Sequence, residues 1–367
     1  MVEKHSLVID TRMINNSGIG VYLKNILPEL IKEFNVILMG NGAELALFPW
    51  TKEVRIIEFK PKIYSIKEQL LYPFIVPKTD LFWCPHFNAP LLPIKAKRIL
   101  TTIYDVNHLA NRNTISWVKW IYAKILYTSA TIRSKKIITI SKFSKLELIK
   151  YTKAKERKIN IIYCGVNYDF FNKKRYHNQI VLPKNYILYV GNVKPHKNLI
   201  TLLKSYKNLS DITKEKYKLL ILGRKDGFIT PDLDVFKFIE ENDLTENIFF
   251  TGYISDEQVP FLYQKACLFV FPSLYEGFGL PILEAMASGV PVLSSNASSL
   301  PEVGGNSVIY FNPLDTNELS KLIDKLLTNE DLREFLIEKG KQQAKLFSWK
   351  PAIQQHIILI KKIMKER

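Results

Sequence analysis

The sequence has 367 residues, of which 47% are hydrophobic and 24% charged, a composition that excludes a disordered or fibrous chain. This length predicts two domains rather than one compact core. No apolar run approaches the roughly 18 residues that span a bilayer, and the three cysteines form no CxxC pair. We therefore expect a cytoplasmic protein without a disulfide framework or a zinc site.

The net charge of +17 is concentrated in the first half of the chain. Residues 1–172 hold 26 basic and 13 acidic side chains, whereas residues 173–367 hold 26 and 22. A basic balance of this kind indicates an anionic substrate, an anionic membrane or nucleic acid as partner. No helix-turn-helix, zinc-finger or RNA-recognition signature is present, so nucleic acid is not the expected partner.

Short apolar strands alternate with helical patterns along the first half. A helix is predicted over residues 21–34, after a turn-rich segment at 15–20. Strands are predicted at residues 6–10, 36–39, 54–57, 81–84, 98–104 and 136–140. This alternation predicts a parallel sheet covered by helices on both faces.

The same pattern starts again at residue 186. A helix is predicted over residues 199–209, and residues 349–351 interrupt the pattern before a last amphipathic helix at 352–365. Strands are predicted at residues 186–190, 218–222, 248–251, 267–271 and 290–294. Two successive α/β units indicate two doubly wound domains, joined by a polar linker at 168–185.

The strand at 267–271 leads into a loop with Gly277 and Gly279, and a helix begins near Pro281. A strand, a glycine-containing loop and a helix N-terminus together form an anion site of free amides and a positive dipole end. Glu276 and Glu284 flank this loop, where carboxylates accept hydrogen bonds from sugar hydroxyls. The alternative is that both glutamates are solvated or cap helices.

Glu276 and Glu284, with seven residues between them, resemble the paired-glutamate motif of retaining glycosyltransferases of family 4, which have the GT-B fold. Residues 189–199 resemble the family's donor-phosphate loop. Further similar segments are 221–223, 250–254, 288–292 and 300–303, and more loosely 12–22, 139–144 and 163–167. Trp349 and the helix after it resemble the segment that crosses back onto the first domain.

The resemblance implies an α/β fold of two Rossmann-like doubly wound domains facing a cleft. It implies an acceptor-side domain over residues 1–172 and a nucleotide-sugar-binding domain over 173–350. The helix within 351–367 would then pack on the first domain.

The resemblance also assigns roles to individual residues. Lys197, Glu276 and Asp105 are the expected catalytic residues, with Lys197 neutralising charge on the leaving diphosphate and His86 on the acceptor side. The expected donor-binding residues are Gly18, Gly20, Gly191, Asn192, Tyr253, Ile254, Gly277, Phe278, Gly279, Leu280 and Glu284. No metal or other cofactor is expected, because the resemblance implies a chemistry that usually needs no bound metal.

Some positions depart from the family or have simpler explanations. Asn192 stands where many members have arginine, so that Lys194, His196 or backbone amides would hold the phosphate instead. Tyr104 stands where the family often has histidine. Outside the resemblance, Lys197 reads as an exposed helix-start lysine, Asp105 as a turn cap, and Tyr253 and Ile254 as core residues.

Residues 18–20 and 105–108 look most like those of mannosyltransferases in bacterial surface-polysaccharide synthesis, which makes GDP-mannose the first expected donor. UDP- or dTDP-linked glucose, galactose, N-acetylhexosamine or rhamnose are the alternatives, as is a GT-B nucleotide-sugar epimerase. The expected acceptor is a glycan or a polyprenyl-linked glycan.

Residues 133–158 carry ten basic and two acidic side chains, and aromatic and aliphatic residues precede them at 117–126. Basic residues beside aromatic ones suit an anionic membrane surface, which would make the protein peripheral on the inner face of the membrane. The alternative is a solvated lysine-rich face with Trp117 and Trp120 in the core.

Overall fold

The computed structural model describes residues 5–112, 115–173, 182–223, 233–252 and 254–366. Contacts divide the chain into two units, Gly165–Ser348 and the remainder, Met1–Cys164 with Trp349–Arg367. The division falls eight residues before the expected boundary at 172, because residues 165–172 fold with the second unit. There the Gln264 side chain donates to the Phe171 carbonyl at 2.6 Å. Part of the predicted linker, residues 174–181, lies outside the described residues.

The first unit contains a seven-stranded, all-parallel sheet of order β3-β2-β1-β4-β5-β6-β7. Its strands are β1 Ser6–Asp10, β2 Asn35–Gly40, β3 Arg55–Glu58, β4 Thr79–Cys84, β5 Ala96–Thr102, β6 Lys136–Thr139 and β7 Ile159–Ile161. Its first six helices are α1 Ser17–Glu33, α2 Gly42–Leu45, α3 Ile66–Ile75, α4 Asn107–Ala110, α5 Trp117–Arg133 and α6 Lys142–Tyr151. Strand β1 lies inside the sheet; it is apolar at residues 7–9 and buried at residues 7–10, as expected for a strand covered on both faces.

Helix α1 begins at Ser17, four residues before the predicted start. Gly18 and Gly20 therefore lie in its first turn rather than in a loop. The Gly20 amide donates to the Asn16 carbonyl at 2.5 Å. A Cβ on Gly20 would overlap the carbonyl oxygen of Ile14, whereas a Cβ on Gly18 would meet open space. Close backbone approach thus requires glycine at position 20.

The second unit contains a six-stranded, all-parallel sheet of order β10-β9-β8-β11-β12-β13. Its strands are β8 Tyr186–Val190, β9 Lys218–Leu222, β10 Ile248–Phe250, β11 Leu268–Phe271, β12 Val292–Ser295 and β13 Ile309–Phe311. Its helices are α7 Tyr168–Asn172, α8 Leu199–Lys207, α9 Asp211–Lys216, α10 Leu233–Glu241, α11 Val259–Lys265, α12 Leu280–Ala287, α13 Leu300–Gly304, α14 Thr316–Thr328 and α15 Glu330–Lys345.

The last helix, α16 Trp349–Lys365, belongs to the first unit. Pro351 lies in its first turn, where proline's missing N–H has no intrahelical partner to lose. The break in the helical pattern is therefore at residues 346–348, before Trp349. His356 packs edge-on against Tyr22 of α1 and forms a short hydrogen bond with its hydroxyl. Burial lowers the pKa of His356 to about 4, so the ring stays neutral.

Candidate functional site

Two loops meet at the carboxyl edge of the second sheet. Strands β8 and β11 are hydrogen-bonded neighbours, so the loops that follow them start side by side. The Leu274 amide donates to the His196 carbonyl at 2.8 Å. The Asn198 side chain donates to the carbonyls of Pro272 at 3.0 Å and Pro313 at 2.8 Å. These bonds lock the loop after β8 to the loop after β11.

An ion pair between Lys197 and Glu276 lies where these loops meet. Lys197 Nζ donates to Glu276 Oε1 at 2.6 Å, although the two residues are 79 positions apart. Their side chains are 19% and 13% exposed, and the ammonium lies 5.8 Å from the centre of the Phe271 ring. Lys197 is therefore held by a carboxylate at the site, which excludes the simple exposed helix-start lysine.

Two serines from the loop before α13 fix the backbone around Glu276. The Glu276 amide donates to Ser298 Oγ at 2.9 Å. The Ser299 hydroxyl contacts the carbonyls of Glu276 at 2.9 Å and Phe278 at 2.8 Å. Gly279 has φ +114°, and a Cβ there would stand 2.7 Å from Leu300 Cδ2. The loop therefore has one backbone path, which only glycine permits at position 279.

The loop leads directly into helix α12. Gly277, Phe278 and Gly279 are buried and Leu280 is half-buried. The first turn of α12 carries no acidic side chain, and within the described part of the chain no side-chain hydrogen bond caps the helix. The positive dipole end of α12 is thus available to an anion beside Lys197.

Glu284 lies on α12, one helix turn beyond Leu280. Its Oε2 accepts a hydrogen bond from the Tyr263 hydroxyl at 3.0 Å. Burial raises the pKa of Glu284 to about 7, with a smaller contribution from the negative charge of Asp256. Burial also raises the pKa of Tyr263 well above its usual value, so it remains a donor. Glu284 therefore changes charge close to neutral pH.

The remaining donor-site candidates of this unit lie at neighbouring strand ends. The Gly191 amide donates to the Leu222 carbonyl at 3.3 Å, and a Cβ on Gly223 would be 2.9 Å from the Gly191 oxygen. Asn192 is exposed and Ile254 is half-buried. Tyr253 lies outside the described residues. The structure thus brings Gly191, Lys197, Glu276 and the start of α12 to one edge of the second sheet.

Gly18, Gly20, Asp105 and His86 belong to the first unit. Asp105 Oδ1 accepts a hydrogen bond from the Asn107 amide at 2.8 Å, which is the turn cap given above as the alternative. His86 lies 4.2 Å from the Phe87 ring centre and 3.1 Å from the Tyr64 hydroxyl. Burial lowers the pKa of His86 to about 3, so it is a neutral hydrogen-bonding group.

A buried ionic cluster that the sequence pattern did not predict lies at the end of β1. Arg12 pairs with Asp10 at 2.5 Å and Glu68 of α3 at 2.8 Å, and Tyr72 donates to Asp10 at 2.7 Å. Burial alone would raise the pKa of Asp10, but Arg12 outweighs it and lowers that pKa. Burial raises the pKa of Glu68. The signal available in the sequence was a charged residue, Asp10, directly after the apolar residues 7–9.

Other missed residues are Asn198, Tyr263, Ser298 and Ser299, which orient the site. Their partners are distant in sequence or are backbone atoms, so spacing does not point to them. Across the described ranges, no group of three or more His, Cys, Asp or Glu side chains is arranged to hold a metal ion. Within the same ranges, no helix is both long and apolar enough to cross a bilayer.

Comparison with known proteins identifies the family. Residues 170–343 match the family model described as glycosyl transferases group 1. The O-antigen chain mannosyltransferase B of Escherichia coli is 33% identical over 286 residues, which cover 76% of this chain and 74% of that protein. The chain is a group 1 glycosyltransferase. This membership confirms the resemblance drawn from Glu276 and Glu284.

Two further relatives of this glycosyltransferase are also named as mannosyltransferases. The O-antigen chain mannosyltransferase RfbU of Salmonella typhimurium is 31% identical over 243 residues, covering 66% of this chain and 63% of that protein. The serotype-specific mannosyltransferase WbdA of Escherichia coli is 32% identical over 227 residues, covering 59% of this chain and 27% of that protein.

Solved structures confirm the fold class of the glycosyltransferase as GT-B. Sucrose-phosphate synthase from Thermosynechococcus elongatus superposes with a TM-score of 0.80 at 17% identity, covering 98% of this chain and 99% of that one. WaaG, a glycosyltransferase involved in lipopolysaccharide biosynthesis, has a TM-score of 0.76 at 16% identity, covering 96% and 99%. Anabaena HepE in complex with UDP and glucose has a TM-score of 0.76 at 16% identity, covering 98% and 100%.

Proposed function

We propose that this glycosyltransferase is a retaining mannosyltransferase that uses GDP-mannose. The acceptor is a glycan or polyprenyl-linked glycan in surface-polysaccharide synthesis, handled at the cytoplasmic face of the membrane. The O-antigen mannosyltransferases among its relatives support this choice of sugar. The observation that carries the proposal is the Lys197–Glu276 pair beside the uncapped start of α12.

The donor's diphosphate binds against the N-terminus of α12 and the ammonium of Lys197. A lysine ammonium has three N–H donors, so Lys197 can keep its bond to Glu276 while donating to a phosphate oxygen. Glu284 accepts hydrogen bonds from the ribose hydroxyls, and Glu276 lies beside the transferred sugar. Gly191 lets the backbone approach the phosphates, and Ile254 flanks the base.

The reaction proceeds on one face of the sugar. The bond between the anomeric carbon and the phosphate oxygen breaks as the acceptor oxygen bonds to the same carbon from the same side. The leaving phosphate takes the acceptor's proton. Lys197 and the α12 amides stabilise the charge that develops on the diphosphate, which makes positioning and electrostatics the main sources of rate. The cation is a side chain, so the reaction requires no metal.

The choice of donor is tested by the protein's thermal stability with a panel of nucleotide sugars. We expect GDP-mannose to raise the unfolding temperature more than UDP- or dTDP-sugars do, since a ligand that binds only the folded state stabilises it. Stabilisation by UDP-sugars alone would overturn the mannose assignment. UDP-glucose is the leading alternative, because the HepE structure of the same fold is described in complex with it.

Retention is tested by NMR of the product. An α-mannoside from GDP-α-mannose supports it, and a β-mannoside contradicts it. Labelled donor separates transfer to an acceptor from epimerisation of the nucleotide sugar. We expect the transfer rate to be unchanged by EDTA, and a rate that falls and returns with Mg²⁺ or Mn²⁺ would contradict metal-independent transfer.

A further inference from the structure

Helix α5 presents an apolar stripe to solvent. Trp117, Ile121, Ile125 and Ile132 are 67%, 43%, 51% and 55% exposed. Their spacing of four, four and seven residues places them on one face of the helix. The prediction's alternative, in which Trp117 belongs to the core, is therefore wrong.

Helix α3 carries a second stripe of the same kind. Ile66, Leu70 and Phe74, spaced four residues apart, are 71%, 56% and 77% exposed. The opposite side of α3 is buried, including Tyr72 in the core of the first unit. Three exposed apolar side chains in a row on a ten-residue helix form a surface rather than isolated exceptions.

Helices α3 and α5 pack on the same core, and one loop contacts both helices. The buried faces of α3 and α5 contribute to one core cluster. The Leu91 amide donates to the Gln69 side chain of α3 at 2.9 Å, and Arg133 of α5 donates to the Leu92 carbonyl at 2.9 Å. Leu92 itself is 42% exposed. The α3–α5 surface consists of Ile66, Leu70, Phe74, Leu92, Trp117, Val118, Ile121, Ile125 and Ile132.

The exposed charged side chains of α3 and α5 are all positive. Helix α5 has no acidic residue, and Lys119 and Lys124 are exposed on it. The one acidic residue of α3, Glu68, is buried against Arg12, whereas Lys67 is exposed. Like charge opposes pairing of this surface with a second copy of itself. An anionic lipid surface matches both the apolar stripes and the lysines.

We propose that the α3–α5 surface docks the protein on an anionic lipid bilayer. Trp117 and the aliphatic stripe enter the headgroup region, and the lysines contact lipid phosphates. This inference deepens the proposed function, because it places a lipid-linked acceptor at the surface on which the enzyme rests. It is distinct from the basic segment 133–158, in which several lysines bond within the first unit.

Contacts of that segment show how its lysines are used. Lys158 Nζ donates to the carbonyls of Ile132 at 2.7 Å and Ser134 at 2.8 Å. Lys145 pairs with Glu156 at 2.8 Å, and Lys136 donates to the Arg157 carbonyl at 3.1 Å. Lysines near the end of a helix satisfy its last carbonyls. Much of the charge run therefore supports the fold of the first unit.

The test is flotation with phosphatidylcholine vesicles that contain increasing fractions of phosphatidylglycerol. We expect binding to rise with phosphatidylglycerol and fall with salt. The double variant Ile121→Glu/Ile125→Glu should lower the partition coefficient at least tenfold. Neutralising Lys124 in Lys124→Gln should lower it about fivefold. The matched control is Phe335→Glu, which changes an equally exposed apolar residue of the second unit and should leave binding unchanged.

Two further measurements separate this inference from the proposed function. Donor binding by thermal shift, without vesicles, should be the same for the double variant and the unchanged protein. Vesicle binding that survives the double variant overturns the docking surface. Self-association in sedimentation that the double variant abolishes, without vesicle binding, identifies a second copy as the occupant and also overturns the proposal.

Discussion

Glu276 holds the Lys197 ammonium at 2.6 Å, and the backbone of Glu276 is itself held by the side chains of Ser298 and Ser299. The cation is thus oriented before any anion arrives. Electrostatic stabilisation by a fixed charge needs no reorganisation during the reaction.

Removing the ammonium should affect the rate more than the fold. We expect Lys197→Ala to lower kcat/KM for transfer by about 10²–10³-fold, because a preorganised positive group is lost from the leaving diphosphate. Steady-state kinetics with the donor identified above measures this. Lys204→Ala, which removes an exposed lysine from α8, is the control and should retain full activity. Full activity of Lys197→Ala would contradict its role.

The raised pKa of Glu284 predicts a pH-dependent stability difference. Its pKa is about 7 in the folded protein, above the ordinary value of 4.5. The folded state therefore binds this proton more tightly than the unfolded state does, and protonation of Glu284 favours folding. The contribution is present below about pH 4.5 and is lost as the pH rises through 7. Glu284→Gln should therefore be more stable than the unchanged protein at pH 8, by about 3 kcal/mol, with the difference vanishing below about pH 4.5.

Urea unfolding at several pH values measures this difference. Glu334→Gln, at an exposed position of α15, should show no such pH dependence relative to the unchanged protein. A Glu284→Gln variant whose stability difference is constant from pH 4.5 to 8 would contradict the raised pKa.

Gly18 and Gly20 should respond differently to the same substitution. Gly20→Ala places a Cβ onto the Ile14 carbonyl oxygen and should destabilise the protein by about 1–3 kcal/mol. Gly18→Ala meets open space in a helical turn and should be neutral or stabilising by up to about 1 kcal/mol. Denaturant unfolding compares the two. Loss of transfer by the stable Gly18→Ala would support its donor-binding role, and equal destabilisation by both would refute the packing argument.

We expect substitution of Ser299 to affect both the stability of the protein and donor binding, although its hydroxyl takes no part in the reaction. Its hydroxyl is fully buried against the carbonyls of Glu276 and Phe278, so Ser299→Ala leaves those oxygens with a lost donor. We expect a stability loss of about 1–3 kcal/mol and a several-fold rise in the KM for donor. Ser288→Ala is the control, since within the described residues the Ser288 hydroxyl has no hydrogen-bond partner. A Ser299→Ala variant with unchanged KM would separate this serine from donor binding.

Apolar strands were predictable because parallel strands buried on both faces appear as short apolar runs. The predicted strands at 6–10, 186–190 and 218–222 agree with β1, β8 and β9 to the residue, and the ends of the other predicted strands differ from the observed ends by at most two residues. Helix starts were less predictable. Glycines at 18 and 20 disfavour a helix locally, yet packing of Gly20 on Ile14 places them in the first turn of α1.

Residue types at the candidate site were predictable, but their contacts were not. Glycines and glutamates in a strand–loop–helix pattern pointed to the loop around Glu276. Its bond to Lys197 joins residues 79 positions apart, and only the pairing of β8 with β11 brings them together. The solvent exposure of Trp117 and Ile121 was not predictable from the sequence either, because their spacing fits a buried helix face as well as a solvent-facing one.

The second unit is an insertion within the first, since Cys164 and Trp349 both belong to the first unit. Inside the insertion, the Val166 amide donates to the Phe347 carbonyl at 2.9 Å, so its two ends lie side by side. On the ribosome the inserted unit is therefore complete while the surrounding one still lacks α16. The places that Trp349 and His356 occupy in the first unit stay unfilled until α16 has been synthesised, so a chain truncated before α16 should lose stability in the first unit.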